Sequence, residues 1–256
     1  MVTPERSMGG NGRWFRRLPR ERDREELMDN LEGYSREELG STLRDLERVN
    51  RIFGNHRLVI GYLAELTRDL PIGAEISLLD IGTGGGDLPA AAGRWAERTG
   101  RTIRLIGMDR SAEIIRFAGT RLSRSSPGHI LIGDAATLPF PGRSIDIVLC
   151  SQVLHHLPDS TAVRVLSEMN RVCRVGWIVS DLRRGRWAYL LTHAAMRLTS
   201  RNRMIRHDGP LSILRAYTMQ EYRQMARAAG AGRAAIRKHR FFRSAMVYHR
   251  GREPGL

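Results

Sequence analysis

The chain has 256 residues, enough for one large domain or for one domain with an appendage. Hydrophobic residues make up 41% and charged residues 27%, ordinary globular usage that excludes a wholly disordered, collagen-like or coiled-coil protein. The net charge of +15 is concentrated at one end: residues 1–74 sum to zero, 75–150 to +1 and 151–256 to +14, and every basic residue except Lys238 is arginine.

In chain order, residues 1–20 are rich in Gly, Arg and Pro with few apolar anchors, and are expected to form a flexible arm. From Glu21 to about Leu70, apolar residues recur at helical spacing (Leu39, Leu43, Leu46, Val49, then Leu58, Leu63, Leu66), with Ser35 and Glu38 as a capping box. This predicts a helical N-terminal section, so residues 1–73 read as arm and cap. Pro71 and Gly73 end it.

Short apolar runs then alternate with helical stretches. The runs are 77–82, 102–109, 128–134, 144–150 and 176–182; the helices are 87–99, 111–124 and 159–172. Strands apolar throughout are buried on both faces, and strand-helix alternation builds a parallel sheet with right-handed crossovers. Residues 74–182 thus read as a core and 183–217 as a helical insertion after the fifth strand. Residues 218–256 read as a Thr218-capped helix and two strands turning near Phe241–Arg243. The fold class expected is α/β: a doubly wound, Rossmann-like seven-stranded sheet with an antiparallel C-terminal hairpin.

Cys150 and Cys173 are too few and too far apart for a disulfide framework or a cysteine zinc site, which predicts a reducing, cytoplasmic setting. No window reaches the roughly 18 uninterrupted apolar residues of a membrane span. No metal-ligand cluster is evident either.

The strongest local signal is LLDIGTGGGDLPAAA, residues 78–92, a strand running through Gly82, Gly84 and Gly86 into a helix. Such glycines let backbone turn sharply and approach a ligand. The dinucleotide pattern is disfavoured, because Asp87 stands where a pyrophosphate would meet the helix start. Asp80, two residues before the first glycine, suits a ligand with an ammonium group or one ordered through water. Asp109, at the tip of the next strand, suits two ribose hydroxyls, and Asp134, at the tip of the third, suits an exocyclic amine. Together they describe a pocket for an adenosine with a cationic amino-acid tail, S-adenosylmethionine.

With the motifs LLDIGTGGG, GMDRS, GDAATLPF and DIVLCSQVLHHL, residues 75–182 resemble the class I S-adenosylmethionine-dependent methyltransferases. LPF followed by DIVLCSQVLHHL is similar to the ubiquinone/menaquinone-methyltransferase-like small-molecule group. DLERVNRIFG and RHDGPLSILRAYT resemble a bacterial polyketide-tailoring subgroup. The resemblance implies cofactor contacts from Asp80, Gly82, Thr83, Gly84, Asp109, Arg110, Asp134, Ala135 and Ser151. The usual Pro-Gly-Gly turn before strand five is replaced by Cys173-Arg174-Val175-Gly176.

Methyl transfer needs alignment and, for an oxygen or carbon nucleophile, a base. Candidates are His156 first, then His155, His207 beside Asp208 in a loop, and Asp181 at the end of strand five. His155 and His156 read equally as structural. Segment 183–206, with Trp187, Tyr189, Leu190, Leu191, Met196 and Leu198, is expected to roof the pocket for an aromatic or lipophilic acceptor; a covering helix with a solvated basic face is the equal alternative.

The expected function is methylation of an oxygen, less readily a carbon, of a small metabolite by a metal-independent monomer or homodimer. An RNA methyltransferase using the C-terminal arginines is the alternative, weakened because Cys150-Ser151-Gln152-Val153 is not a base-methylation signature. A non-catalytic cofactor-binding protein is the second alternative.

Overall fold

The computed structural model describes residues 18–251 apart from 22, 23, 32, 126, 127 and 201. Most of the predicted arm, residues 1–17, lies outside them. Its last residue is pinned: the Arg20 guanidinium stacks over the Tyr217 ring at 3.7 Å and donates to Asp159 at 2.5 Å and to the Arg215 carbonyl at 2.7 Å.

The N-terminal section forms a 3-10 turn (Leu27–Asp29) and helices α1 (Arg36–Ile52) and α2 (Asn55–Leu66). Ser35 and Glu38 make the predicted capping box, each side chain accepting from the other residue's backbone N–H. The core follows as β1 (Glu75–Ile81), α3 (Asp87–Arg98), β2 (Thr102–Asp109), α4 (Ala112–Ser125) and β3 (Gly128–Ile132). It continues through β4 (Ile145–Ser151), a 3-10 turn (Leu154–His156), α5 (Asp159–Val172) and β5 (Cys173–Leu182). The remainder is α6 (Arg186–Thr199), α7 (Arg203–Arg215), α8 (Met219–Ala228), β6 (Ala235–Lys238) and β7 (Arg243–His249).

The seven strands run in the order β3-β2-β1-β4-β5-β7-β6; β1 to β5 pair in parallel and β7 is antiparallel to both neighbours. The predicted doubly wound sheet with its hairpin is what forms. Strand alternation supplies both faces. Leu79 and Ile81 of β1, Val148 of β4 and Val179 of β5 pack under α5 and α8, while Ile76, Leu78, Ile147 and Ile178 pack under α2 and α3. Each fully buried aliphatic side chain contributes about 2 kcal/mol of transfer free energy, so either layer outweighs any single polar contact. Only β3 departs from the buried-strand expectation: at the sheet edge it is half-exposed, with Ile132 at 59%.

Two helices depart from their sequence reading. Helix α2 is a layer of the sheet's own core, burying Val59, Leu63 and Leu66 with α3's Trp95. Helix α7 runs unbroken through Arg-His-Asp-Gly-Pro, so His207 and Asp208 are helical and not in a loop. Pro210 removes one backbone donor, but the Asn202 side chain caps the helix at Met204 and Ile205, and burial of Met204, Ile205, Leu211 and Ile213 outweighs the loss.

The chain winds outward from β1 through β2 to β3, then crosses back to β4. Above the carboxyl ends of β1 and β4 this reversal leaves a crevice, the position where open α/β sheets bind ligands.

Candidate active site

A cavity of about 1020 Å³ occupies this crevice, lined by the glycine loop, the tips of β1, β2 and β4, and side chains of α1, α6 and α7. All nine positions expected to touch cofactor line it: Asp80, Gly82, Thr83, Gly84, Asp109, Arg110, Asp134, Ala135 and Ser151.

The loop geometry explains its glycines. Gly82 and Gly84 have φ of +65° and +52°. A Cβ on Gly82 would come within 2.3 Å of a Val153 methyl, whereas a Cβ on Gly84 would meet no atom within 4 Å. Gly84 is thus open toward the cavity, leaving space for a ligand against bare backbone. Asp109 is held by the backbone N–H groups of Gly84 (3.2 Å) and Ser111 (3.1 Å), and Asp134 by that of Ala136 (2.8 Å), so both carboxylates are fixed at their strand tips with lone pairs to spare.

Asp80 is buried. Thr83 Oγ1 donates to its Oδ2 at 2.9 Å, while Oδ1 has no partner. Burial, reinforced by Asp87 and Asp109, pushes its pKa well above the usual carboxylate range. A buried unsatisfied carboxyl beside an open glycine fits a ligand carrying an ammonium group. Asp87 also lines the cavity, where it opens α3 and accepts from His56 Nε2 at 2.6 Å. Arg110 turns toward the N-terminal section, its guanidinium 3.5 Å from the Asp29 carbonyl.

On the β4–β5 side, His155 is buried and its Nδ1–H donates to Asp181 Oδ1 at 2.6 Å. His156 donates from Nδ1 to Asp29 Oδ1 at 2.8 Å. Both rings line the cavity, packed with centroids 4.2 Å apart. Asp181 lies behind His155, where it also receives the backbone N–H of Leu182 at 2.7 Å.

His207 is not brought to the cavity. Its Nδ1 donates to Asp208 Oδ1 at 2.8 Å, and Asp208 in turn accepts from the backbone N–H groups of Leu27 (2.8 Å) and Met28 (3.0 Å). Asp208 clasps the N-terminal 3-10 turn to α7, and the expected lid imidazole stands beside it, outside the cavity wall.

Sequence reasoning missed Glu26 and Asp29, which sit in a charged stretch that reads as solvated. Glu26 is 4% exposed in the cavity wall, and its Nε2 neighbours are those of His155 (to Oε1, 3.8 Å) and His156 (to Oε2, 3.9 Å). Burial pushes its pKa up to about 7 against the opposing charge of His156. Burial also opposes ionisation of Asp29, but the hydrogen bond and charge of His156, with Arg215, hold that carboxyl well below the usual range. The fold therefore assembles Glu26, His155 and His156, with donor atoms within 4.8 Å of one another, where the sequence showed no ligand cluster.

Gln152 was likewise unforeseen as a site residue. It holds φ at +56° at the end of β4, and its amide donates to Asn50 Oδ1 at 2.5 Å. Of the expected roof, Leu191 and Met196 line the cavity, while Trp187 (71%) and Leu198 (86%) face solvent.

Residues 78–176 match the protein family described as a methyltransferase domain. Among curated proteins, the chain is 30% identical over 167 residues to 27-O-demethylrifamycin SV methyltransferase of Amycolatopsis mediterranei, covering 63% of this chain and 56% of that protein. It is 27% identical over 135 residues to demethylmenaquinone methyltransferase of Staphylococcus aureus, covering 52% and 53%. The chain thus spans about half the length of the curated relatives it matches. The same fold occurs in an Aquifex aeolicus SAM-dependent methyltransferase (TM-score 0.56, 16% identity, 82% of this chain and 97% of that one). It occurs also in PigF with SAH (TM-score 0.57, 19% identity, 88% and 65%).

Residues 78–176 thus match a methyltransferase domain, within a fold shared with SAM-dependent methyltransferases of known structure. Among the described residues, no helix is long and apolar enough to cross a membrane.

Proposed function

We propose that this protein transfers a methyl group from S-adenosylmethionine to an oxygen, less readily a carbon, of a small aromatic, polyketide-like or lipophilic metabolite. The observation that carries the reading is the single cavity joining the nine cofactor positions to the imidazoles of His155 and His156. The relative named for 27-O-demethylrifamycin SV supports an oxygen acceptor.

Bound S-adenosylmethionine supplies an electrophilic methyl group, and the S–C bonding electrons return to sulfur on transfer. The chain's own residues do the rest. Asp109 and Asp134 would accept from the ribose and adenine, Asp80 would receive the ammonium end, and the Gly82–Gly84 backbone leaves room for the ligand to approach. Thr83 holds Asp80, and Ala135 and Ser151 would complete the wall around the ligand. On the other side, activation of the acceptor oxygen depends on His155 and His156, with Asp181 and Asp29 as positioning residues that each engage Nδ1 and leave Nε2 as the nitrogen to take the acceptor's proton. Residues 183–217, with the N-terminal section, cover the acceptor side with Leu191, Met196, Met204, Ile205 and Ile213, an apolar wall suited to a largely apolar acceptor.

Loss of this activation costs about 10²–10⁴-fold in rate. The test is transfer of labelled methyl from S-adenosylmethionine to an organic-extractable product, followed by product identification. Transfer that goes only to macromolecules overturns the reading.

A further inference from the structure

We propose that Glu26, His155 and His156 form a binding site for a divalent transition cation, zinc or a first-row relative, in the wall of the acceptor cavity.

Three lone-pair donors face one another. In each histidine Nδ1 is engaged by a carboxylate, which leaves Nε2 as the nitrogen open to a cation. Those two nitrogens lie 3.8 and 3.9 Å from the oxygens of Glu26, too far for hydrogen bonds. Glu26 Oε2 receives the Ser212 hydroxyl at 2.9 Å; Oε1, the oxygen facing His155, has no hydrogen-bond partner although its residue is 4% exposed. A cation between the donors removes both defects: it takes the orphaned oxygen and separates like-charged lone pairs.

The spacing fits. Donors bound to one zinc at about 2.0–2.2 Å stand roughly 3.3–3.6 Å apart, so donors that now lie within 4.8 Å of one another close by at most about 1.5 Å, shared among three side chains. A carboxylate on the far nitrogen of each ligating imidazole is the usual outer support of such sites, and Asp181 and Asp29 are in those positions. Two imidazoles and one carboxylate, with no thiolate, is a donor set for zinc, iron, cobalt or nickel.

Composition points the same way: four carboxyl groups, those of Glu26, Asp29, Asp181 and Asp208, meet two guanidinium groups, that of Arg215, which pairs with Asp29 and lies 3.8 Å from Glu26 Oε1, and that of Arg243, whose charge acts on Asp181.

The inference rests on the reading of this wall as the place where the acceptor oxygen is activated, and it names the agent. A hydroxyl binding the cation has its pKa lowered; its proton leaves to water and its oxygen keeps the electron pair for attack on the methyl group.

The test uses the full chain, dialysed against chelator and titrated with zinc and with cobalt(II), without cofactor or acceptor. Calorimetry and the visible d–d bands of cobalt read the binding. One equivalent should bind, and Glu26→Gln and His156→Gln should each weaken it at least 100-fold. Retention of the cofactor-induced rise in Tm shows that each variant is folded. No saturable binding, or binding that survives both substitutions within tenfold, overturns the site. Methyl transfer that persists at full rate in the chelated protein rejects the cation's role while leaving the methyltransferase reading intact.

Discussion

The Nδ1 of His155 lies 2.6 Å from Oδ1 of Asp181, and both side chains are almost completely buried at the carboxyl ends of β4 and β5. In that setting the carboxylate fixes which ring nitrogen carries the proton. Asp181→Asn puts an amide where the acceptor was, so the tautomer held by the native pair is lost. We predict a fall in kcat of about 10²-fold or more with cofactor affinity unchanged. Steady-state transfer kinetics with separate measurement of cofactor binding checks this, and an equal loss in both would assign Asp181 to folding alone.

Asp80 gives a prediction about pH. Its folded pKa is raised by burial, so its contribution to stability is full below the unfolded value of about 3.9 and is lost as pH rises toward the folded value. Asp80→Asn lacks this loss. The Tm of the cofactor-free variant should therefore exceed that of the parent by a margin that widens from pH 5 to pH 8. The same substitution should shrink the rise in Tm on adding S-adenosylmethionine. A parent more stable than the variant at pH 8 would contradict both the burial argument and the role of the bound ammonium group.

The two loop glycines should separate folding from binding. Gly82→Ala drives a methyl against Val153 at 2.3 Å and strains a φ of +65°, for a cost of about 2–4 kcal/mol in chemical denaturation. Gly84→Ala strains φ only, costing about 1 kcal/mol, yet its new Cβ enters the open space left for ligand. It should fold and lose most cofactor affinity. Equal effects on stability at the two positions would mean that the loop is shaped by packing and not by a ligand.

Asp208 is expected to act on the N-terminal section. Its carboxylate holds the backbone N–H groups of Leu27 and Met28, which carry Glu26 and Asp29 into the wall. Asp208→Ala should cost about 2–3 kcal/mol and raise amide exchange at residues 24–30 without changing protection of β1 or β4. His207→Gln should do little by comparison. Exchange that rises across the sheet would show that the clamp supports the whole fold.

The sheet was legible because its strands are buried on both faces and its helices carry clear caps: the Ser35–Glu38 box and the Thr218 cap form where the sequence places them. The convergence of Asp80, Asp109 and Asp134 on one cavity was legible for the same reason, since they stand at or just past strand ends that parallel topology brings together. The acceptor half was only partly so. His155 and His156 could be placed after β4, but their carboxylate partners come from residues 26, 29 and 181, joined to them by tertiary packing that leaves no local pattern. Glu26 reads as solvated because its neighbours in sequence are charged; it is buried by Ser212 and Arg215 of α7, about 190 residues away. His207 misled in the opposite direction. Gly209 and Pro210 signal a turn, yet Gly209 lets α7 approach Met196 so closely that a Cβ would lie 2.9 Å from it, and helix packing prevails over propensity.

The central claim is methyl transfer from S-adenosylmethionine to a small molecule. Methyl-labelled cofactor, the purified protein and an extract of the cells that make it, with and without ribonuclease and with Asp109→Ala as control, test it in one step. The account predicts label in an organic-extractable product, insensitive to ribonuclease and lost in the control. Label confined to ribonuclease-sensitive material would contradict it and turn the C-terminal arginines into the substrate site.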